Sequence, residues 1–351
     1  MVVESLFSCP DYQEAYTQFL HYIHSLSGSA SSVRTYASFL RDFFKDPDRA
    51  PDDYEKNDVL RFLSAPSHSR RSFGQPVSAA TMNHRKSCLQ SFLKFCQEWM
   101  IDTEHGKEPL YNRPLATMSI RRLKEAHPYK SMSTEELTRF WLAIPETYRD
   151  PVVIARNKAL FCFYLETCRR RNEVLRLTWG DLTPTTFVEQ DGSLRQGILY
   201  RYTGKGRSRS PLQKELPLIA WARLQDYLRL ANRLGTMKPE SYLFVTSHIG
   251  QGFKQGTLKD PANTPLAHDY VSTLFKDVCS VAGLDTKRLS LHSLRHAGAH
   301  ERALSGATVQ EIQNALDHVE IAHTFRYLNF ISGERDKSLD RLEQRLAFLT
   351  H

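Results

Sequence analysis

The chain has 351 residues, beyond the size at which a single hydrophobic core usually stops growing, so two domains are expected. Its 47 Lys and Arg against 39 Asp and Glu leave a formal charge of +8. That excess suits a protein that meets polyanions but falls short of histone-like basicity. No apolar run approaches the roughly 18–20 residues that span a bilayer, and MVVESLFSCP lacks the basic segment and long apolar core of an export signal. The six cysteines contain no C-x-x-C pair. Several lie in apolar helical patterns such as SCLQSFLKFC, so buried free thiols in a reducing, cytoplasmic setting are expected.

The first third reads as helices divided by polar breaks. Residues 12–26 repeat apolar side chains at helical spacing until SGSASS interrupts them. SVRTYASFLRDFF follows, with Val33, Tyr36, Phe39, Leu40 and Phe43 on one side, and PDRAPDD ends it. A short helix around Asn57–Ser64 and a long one from Ser78 to Met100 complete a four-helix unit. The long helix carries His84, Arg85 and Lys86 opposite its apolar stripe, a face that either contacts DNA or is merely solvated. Residues 102–130 show no sustained periodicity and hold Gly106, Pro109, Pro114, Pro128 and the basic run Arg121, Arg122, Lys124, which marks an interdomain linker.

Ser133 and Glu136 form the two ends of a capping box that opens the next unit. Helices dominate to about Trp179. A β patch then runs through TTFVEQ, a turn at Asp191–Gly192, GILYRYT, a turn at Gly204–Lys205–Gly206, and KELPL. Helices resume near Ile219 and continue to the end, apart from a Gly-, Pro- and Lys-rich loop over 249–265.

The chemistry concentrates between Leu291 and Asn329, in LHSLRHAGAH and LDHVEIAHTFRYLN. His292 and Arg295, three apart, share one helix face, and the planar guanidinium can hold two phosphate oxygens at once. H-x-x-R alone is a common string. His292, His296 and His300 have the spacing of a chelating set, but no H-E-x-x-H and no cysteine cluster accompanies them. His318 and Tyr327 are nine residues apart, about 900° on an unbroken helix, which places them on opposite faces. Both reach one phosphate only if the helix breaks between them, with a new helix capped near Thr324. Without other motifs Tyr327 reads as a core aromatic beside Phe325 and Phe330.

LHSLRH, LDHVEIAHTFRYLN and YLETCRRRNEVLRLTWGDL together resemble the tyrosine recombinase (phage integrase) family. The family's first motif reads approximately T-G-L-R-x-S-E-L, where this chain has Thr167-Cys168-Arg169-Arg170-Arg171-Asn172-Glu173-Val174. Alignment on Glu173 selects Arg170 as the clamp residue, while composition alone leaves Arg169 and Arg171 open. Lys205, in YRYTGKGR, has the neighbourhood of the family's lysine. The family's L-G-H is Leu316-Asp317-His318 here, and the extra carboxylate could alter the protonation of His318. SVRTYASFLRDFF and SAATMNHRKSCLQSFLKF look like helices of the family's core-binding domain, so the resemblance covers most of residues 12–330.

The resemblance implies a mainly α fold with a small antiparallel β patch, arranged as a two-domain DNA clamp. Residues 1–115 would be the helical, SAM-like core-binding domain, 116–131 the linker, and 132–351 the catalytic domain with a C-terminal tail helix. It also implies a site-specific recombinase acting through a 3′-phosphotyrosine. Arg170 and Arg295 would clamp the phosphate, Tyr327 attack it and Lys205 protonate the leaving 5′-oxygen. His292 and His318 would be hydrogen-bond or proton-transfer partners. No cofactor or metal is required by that chemistry. Arg34, Arg85, Lys86, Arg121, Arg122 and Lys124 are the DNA-contact candidates. The implied partners are double-stranded DNA carrying specific recombination sites and further copies of the chain: a tetramer in the synapse, a monomer or dimer when free. The leucines of SLDRLEQRLAFL would dock that tail on a neighbouring protomer. The competing readings are a type IB topoisomerase-like enzyme and a catalytically inactive DNA-binding regulator.

Overall fold

The structure is a computed structural model that describes residues 5–66, 74–114, 120, 121, 123, 131–189, 191–204, 211–246, 263–318 and 324. Contacts divide the chain into two compact units, Met1–Pro128 and Tyr129–His351.

In the first unit each expected helix starts where its sequence provides a suitable first-turn residue or cap. Helix α1 (Pro10–Ser27) begins on proline, whose missing N–H has no partner to lose at a first turn, and ends at left-handed Gly28. The Ser29 side chain accepts the Ser32 N–H to open α2 (Ala30–Phe43). A Glu55/Asp58 capping box opens α3 (Lys56–Ser64), and Ser78 caps α4 (Ala79–Glu98). Their apolar faces meet around Phe92, whose ring lies 5.4 to 6.2 Å from those of Phe7, Tyr16, Phe19 and Phe44.

Two expectations fail in this unit. Residues 100–109 form an antiparallel hairpin, β1 (Met100–Thr103) with β2 (Gly106–Pro109), which takes Met100 from the expected long helix and runs into the stretch 102–130 read as aperiodic. Leu110 and Tyr111 then enter the helical core, and the Tyr12 hydroxyl donates to the Leu110 carbonyl at 2.8 Å. The second correction concerns Arg85, expected on a solvated DNA-facing stripe. It is only 3% exposed, and Nη1 donates to the carbonyls of Phe62, Leu63 and Ala65 at the C-terminal end of α3. Carbonyls at a helix end are short of backbone partners, though that of Phe62 also accepts the Ala65 N–H, and a guanidinium meets both their hydrogen-bonding capacity and the negative end of the dipole. Lys86, half-buried, donates to the Ile120 carbonyl, while Arg34 and Arg121 are exposed. Arg122 and Lys124 lie outside the described residues.

The second unit opens with α5 (Thr134–Thr147), capped by the expected Ser133/Glu136 box. Helix α6 (Pro151–Thr167) follows Asp150, whose carboxylate accepts the N–H groups of Val152 and Val153. It is apolar on nearly every face and accordingly central, packed against α5, α8 (Leu218–Leu230) and α10 (His292–Leu304). Between the short helix α7 (Arg171–Leu175) and α8 lies the expected β patch. It is an antiparallel sheet in the order β3 (Leu182–Val188), β4 (Leu194–Tyr202), β5 (Leu212–Glu215). Helices α9 (His268–Val281) and α11 (Val309–Leu316) complete the unit. Most of the loop read over 249–265 lies outside the described residues. Among the described residues no helix is long and apolar enough to cross a membrane.

Candidate active site

Three consecutive arginines follow α6, and the turn gives each a different environment. The turn itself is made by Cys168 at φ 53°, a left-handed residue where the family pattern has glycine. Arg169 points inward, with a fully buried side chain paired to Asp317. Arg171 donates to the His268 carbonyl at 3.2 Å and the Ser272 hydroxyl at 2.6 Å. Arg170 keeps about a third of its side chain exposed, with Nη1 3.1 Å from buried Glu173. The same carboxylate accepts the Arg170 N–H at 2.8 Å, so Glu173 fixes both backbone and side chain. Of the three guanidiniums, that of Arg170 is held at its base while reaching solvent.

Helix α10 supplies His292 and Arg295 one turn apart. Arg295 is 2% exposed and bridges two helix ends, donating from Nη1 to the Cys168 carbonyl and from Nη2 to the Leu316 carbonyl, both at 2.5 Å. His292 has its imidazole pushed down from 6.5 to about 4, first by the protein packed around it and then by the charges of Arg295 and Arg170. His292 is nonetheless exposed as a residue, which weakens the burial contribution, but the two guanidiniums act in the same direction. His292 is therefore neutral at pH 7, able to accept a proton or hydrogen bond. Its ring meets that of His296 edge-on at 4.6 Å, and among the described residues no three His, Cys, Asp or Glu side chains gather as a metal ion would need.

The shift carries a stability consequence with a definite sign. Because the folded pKa lies below the unfolded one, the unfolded chain binds the extra proton between about pH 4 and 6.5. The contribution is complete above that window and is lost as pH falls through it. His292→Gln should flatten the decline of the urea midpoint across the window. An equally steep decline in the variant would assign the effect to other groups.

Helix α11 ends at Leu316, and Asp317 turns the chain at φ 52°. The helix thus stops at Asp317, one residue before His318, ahead of the interval in which a break was expected; of residues 319–327 only Thr324 is described. His318 Nδ1 lies 3.0 Å from the hydroxyl of Thr324, which is buried and helical. Asp317, the carboxylate next to His318 in sequence, is engaged by other groups. Its Oδ2 accepts Arg169 and the Tyr202 hydroxyl, the latter at 2.5 Å, and its Oδ1 lies 2.6 Å from Lys214. Burial pushes the Tyr202 phenol up to about 12, with nearby Arg169 opposing the rise, so it remains a donor.

Arg295 thus touches the turn before Arg170 on one side and the residue before Asp317–His318 on the other, while Arg170 and Arg295 both act on His292. Arg170, His292, Arg295 and His318 share one neighbourhood at the ends of α6, α10 and α11. Lys205 and Tyr327 lie outside the described residues. Tyr202 and Lys214 escaped sequence reasoning. A usable signal existed in the paired departures from the family pattern, a cation at 169 and an anion at 317.

The phage integrase family model matches residues 131–331. The chain is 27% identical over 184 residues to tyrosine recombinase XerD of Vibrio cholerae, covering 52% of each protein. It is 27% identical over 228 residues to XerD of Proteus mirabilis, 64% of this chain and 62% of that one. The matches thus span about half to two-thirds of these relatives' lengths. Among solved structures, XerH recombinase bound to palindromic difH substrate in a post-cleavage complex superposes with a TM-score of 0.65 at 19% identity, covering 98% of this chain and 86% of that one. A lambda integrase dimer bound to a COC' core site gives 0.60 at 14% identity, covering 92% and 79%. At such identities the structural likeness is one of fold. The family match extends over more than half of the chain and takes in all four gathered side chains; the chain belongs to the phage integrase family.

Proposed function

We propose that the protein is a site-specific DNA recombinase that cuts and reseals duplex DNA through a phosphotyrosine at Tyr327. The observation that carries this reading is the grouping of Arg170, His292, Arg295 and His318 at three helix ends in a chain of this family. Such a grouping offers fixed positive charge and hydrogen-bond donors to a phosphodiester without reorganisation at the moment of reaction. Arg170 and Arg295 stabilise the charge of the pentavalent transition state on the non-bridging oxygens. The Tyr327 oxygen forms its bond to phosphorus as the bond to the 5′-oxygen breaks. Lys205 gives that oxygen its proton, leaving a 3′-phosphotyrosine and a 5′-hydroxyl. Neutral His292 serves as acceptor and His318 as donor. Religation reverses the step with the 5′-hydroxyl of an exchanged strand, and the phosphotyrosine conserves the energy needed.

The partners in this reading are duplex recombination sites and other copies of the chain, with a tetramer in the synapse. Residues 1–115 form the core-binding domain, 116–131 the linker and 132–351 the catalytic domain. Of the described members of the proposed DNA-contact set, Arg34 and Arg121 are exposed, Lys86 is half-buried and Arg85 is buried. The leucine-striped tail over 338–349 docks on a neighbouring protomer.

A nicked suicide duplex, in which the 5′-hydroxyl fragment diffuses away, tests the chemistry. The wild type should give an SDS-resistant protein–DNA adduct and Tyr327→Phe none. An adduct formed by Tyr327→Phe, or no adduct by the wild type on any candidate site, overturns the reading. Plasmid relaxation beside two-site recombination separates it from a topoisomerase.

A further inference from the structure

Three successive carbonyls at the end of α11 are each held by a cation from a different element. Lys214 on β5 donates to Asn314, Arg169 after α6 donates to Ala315, and Arg295 on α10 donates to Leu316. The next residue, Asp317, returns the opposite charge to two of these cations and accepts the Tyr202 hydroxyl as well. Arg169 has its remaining nitrogen committed too, with Nε donating to the Thr167 carbonyl at 3.0 Å and the guanidinium carbon 4.5 Å above the Tyr202 ring. A buried guanidinium with this many short-range partners has little freedom, and neither has the carboxylate it faces.

The location of this network gives it a consequence. His318 is bonded directly to Asp317, and Arg295 shares the same carbonyl row. Thr167, which anchors Arg169, is three residues from Arg170. Two of the departures from the family's glycine-bearing motifs, Arg169 and Asp317, are members of the same pair. Asp317 occupies left-handed backbone that glycine adopts without strain, so a carboxylate there is retained against a conformational cost.

We propose that Asp317, gripped by Arg169 and Lys214, is a positioning residue that aims His318 and Arg295 at the scissile phosphate, and that Arg169 and Asp317 function only as a couple. The proposal rests on the recombinase reading for the identity of the phosphate. It assigns no proton transfer to Asp317. The carboxylate acts through the backbone of its neighbour and through the guanidinium that it neutralises.

The test is a cycle of Asp317→Gly, Arg169→Leu and the double variant, with Asp317→Asn as an isosteric control. Single-turnover adduct formation is measured at saturating suicide DNA, well below each variant's melting temperature, beside DNA affinity. Each single variant should lose about 10- to 100-fold in rate, the effect of a small misplacement of reacting groups. DNA affinity should change by less than about 3-fold, and the double variant, which restores the family pattern at both positions, should recover most of the rate. A network that merely stabilises the fold would lower melting temperatures while leaving the rate of the folded protein unchanged, and that result overturns the proposal. So does a double variant no faster than the slower single one. Wild-type adduct on the same gel reports separately on the recombinase reading. Should it be absent, the His318 ring resonance in DNA-free protein, assigned with His318→Gln, still decides: positioning requires it to shift or broaden in Asp317→Asn, and an unmoved resonance overturns it.

Discussion

Arg295→Lys should retain a folded protein but lose adduct formation by about 100-fold or more. The side chain at this position must hold two carbonyls that belong to different helix ends, Cys168 and Leu316, each at 2.5 Å. A guanidinium does so with two nitrogens of one rigid plane, whereas an ammonium is a single point at the end of a flexible stem. Lysine therefore satisfies one carbonyl and leaves the other buried without its charged donor, a cost of about 1.5–3 kcal/mol. That is tolerable for the fold. The chemistry suffers more, because the proposed clamp needs a fork that faces the phosphate while remaining anchored behind. The measurement is single-turnover cleavage of nicked suicide DNA at a temperature where circular dichroism shows both proteins fully folded. Cleavage by Arg295→Lys within a few-fold of wild type would remove Arg295 from the phosphate clamp. Its role would then be that of a tie between α6 and α11.

How much of this was legible beforehand depended on whether a feature is set by local or distant atoms. The four helices of the first unit announced themselves because apolar period, Ser or Glu caps and Gly28 all agreed within each segment. The hairpin over 100–109 did not, since MIDT and GKEP are too short and too polar to show alternation. Arg85 misled for a related reason. Its helical position is polar by pattern, yet the exposed carbonyls of α3, about twenty residues earlier in sequence, claim it. In the site, Arg170, His292, Arg295 and His318 could be named through resemblance, and a helix break was expected from nine-residue arithmetic. The stop at Asp317 could not be deduced, because Asp317 does not advertise a left-handed turn as glycine would. Nor could the partner of Asp317, because Arg169 lies 148 residues away in sequence.

Gly298→Ala should be the most damaging one-carbon addition among the described glycines of the second unit, and the reason lies in how the proposed clamp is mounted. In an isolated helix the change would help, by about 1 kcal/mol. Here α10 lies so close to the end of α6 that a Cβ on Gly298 would stand 2.0 Å from the Leu165 carbonyl oxygen and 2.8 Å from the Cys168 sulfur. The first of these is backbone inside a helix, so it cannot rotate away; the helices must separate. Overpacking against an immobile group costs about 3 kcal/mol or more, which exceeds the propensity gain. For a unit of this size a net loss of about 2 kcal/mol lowers the melting temperature by roughly 4–8 °C. The displacement also has a functional direction, because Arg295 sits one turn away on the same helix and reaches the Cys168 carbonyl across this very gap. Adduct formation should therefore fall in Gly298→Ala even at temperatures where the protein remains folded. Gly235→Ala provides the comparison, since a Cβ there meets nothing within 4 Å, and both melting temperature and cleavage should be unchanged. A Gly298→Ala protein that melts at or above the wild-type temperature would mean that α10 and α6 are mounted less tightly than these distances require. The clamp could not then owe its geometry to that contact.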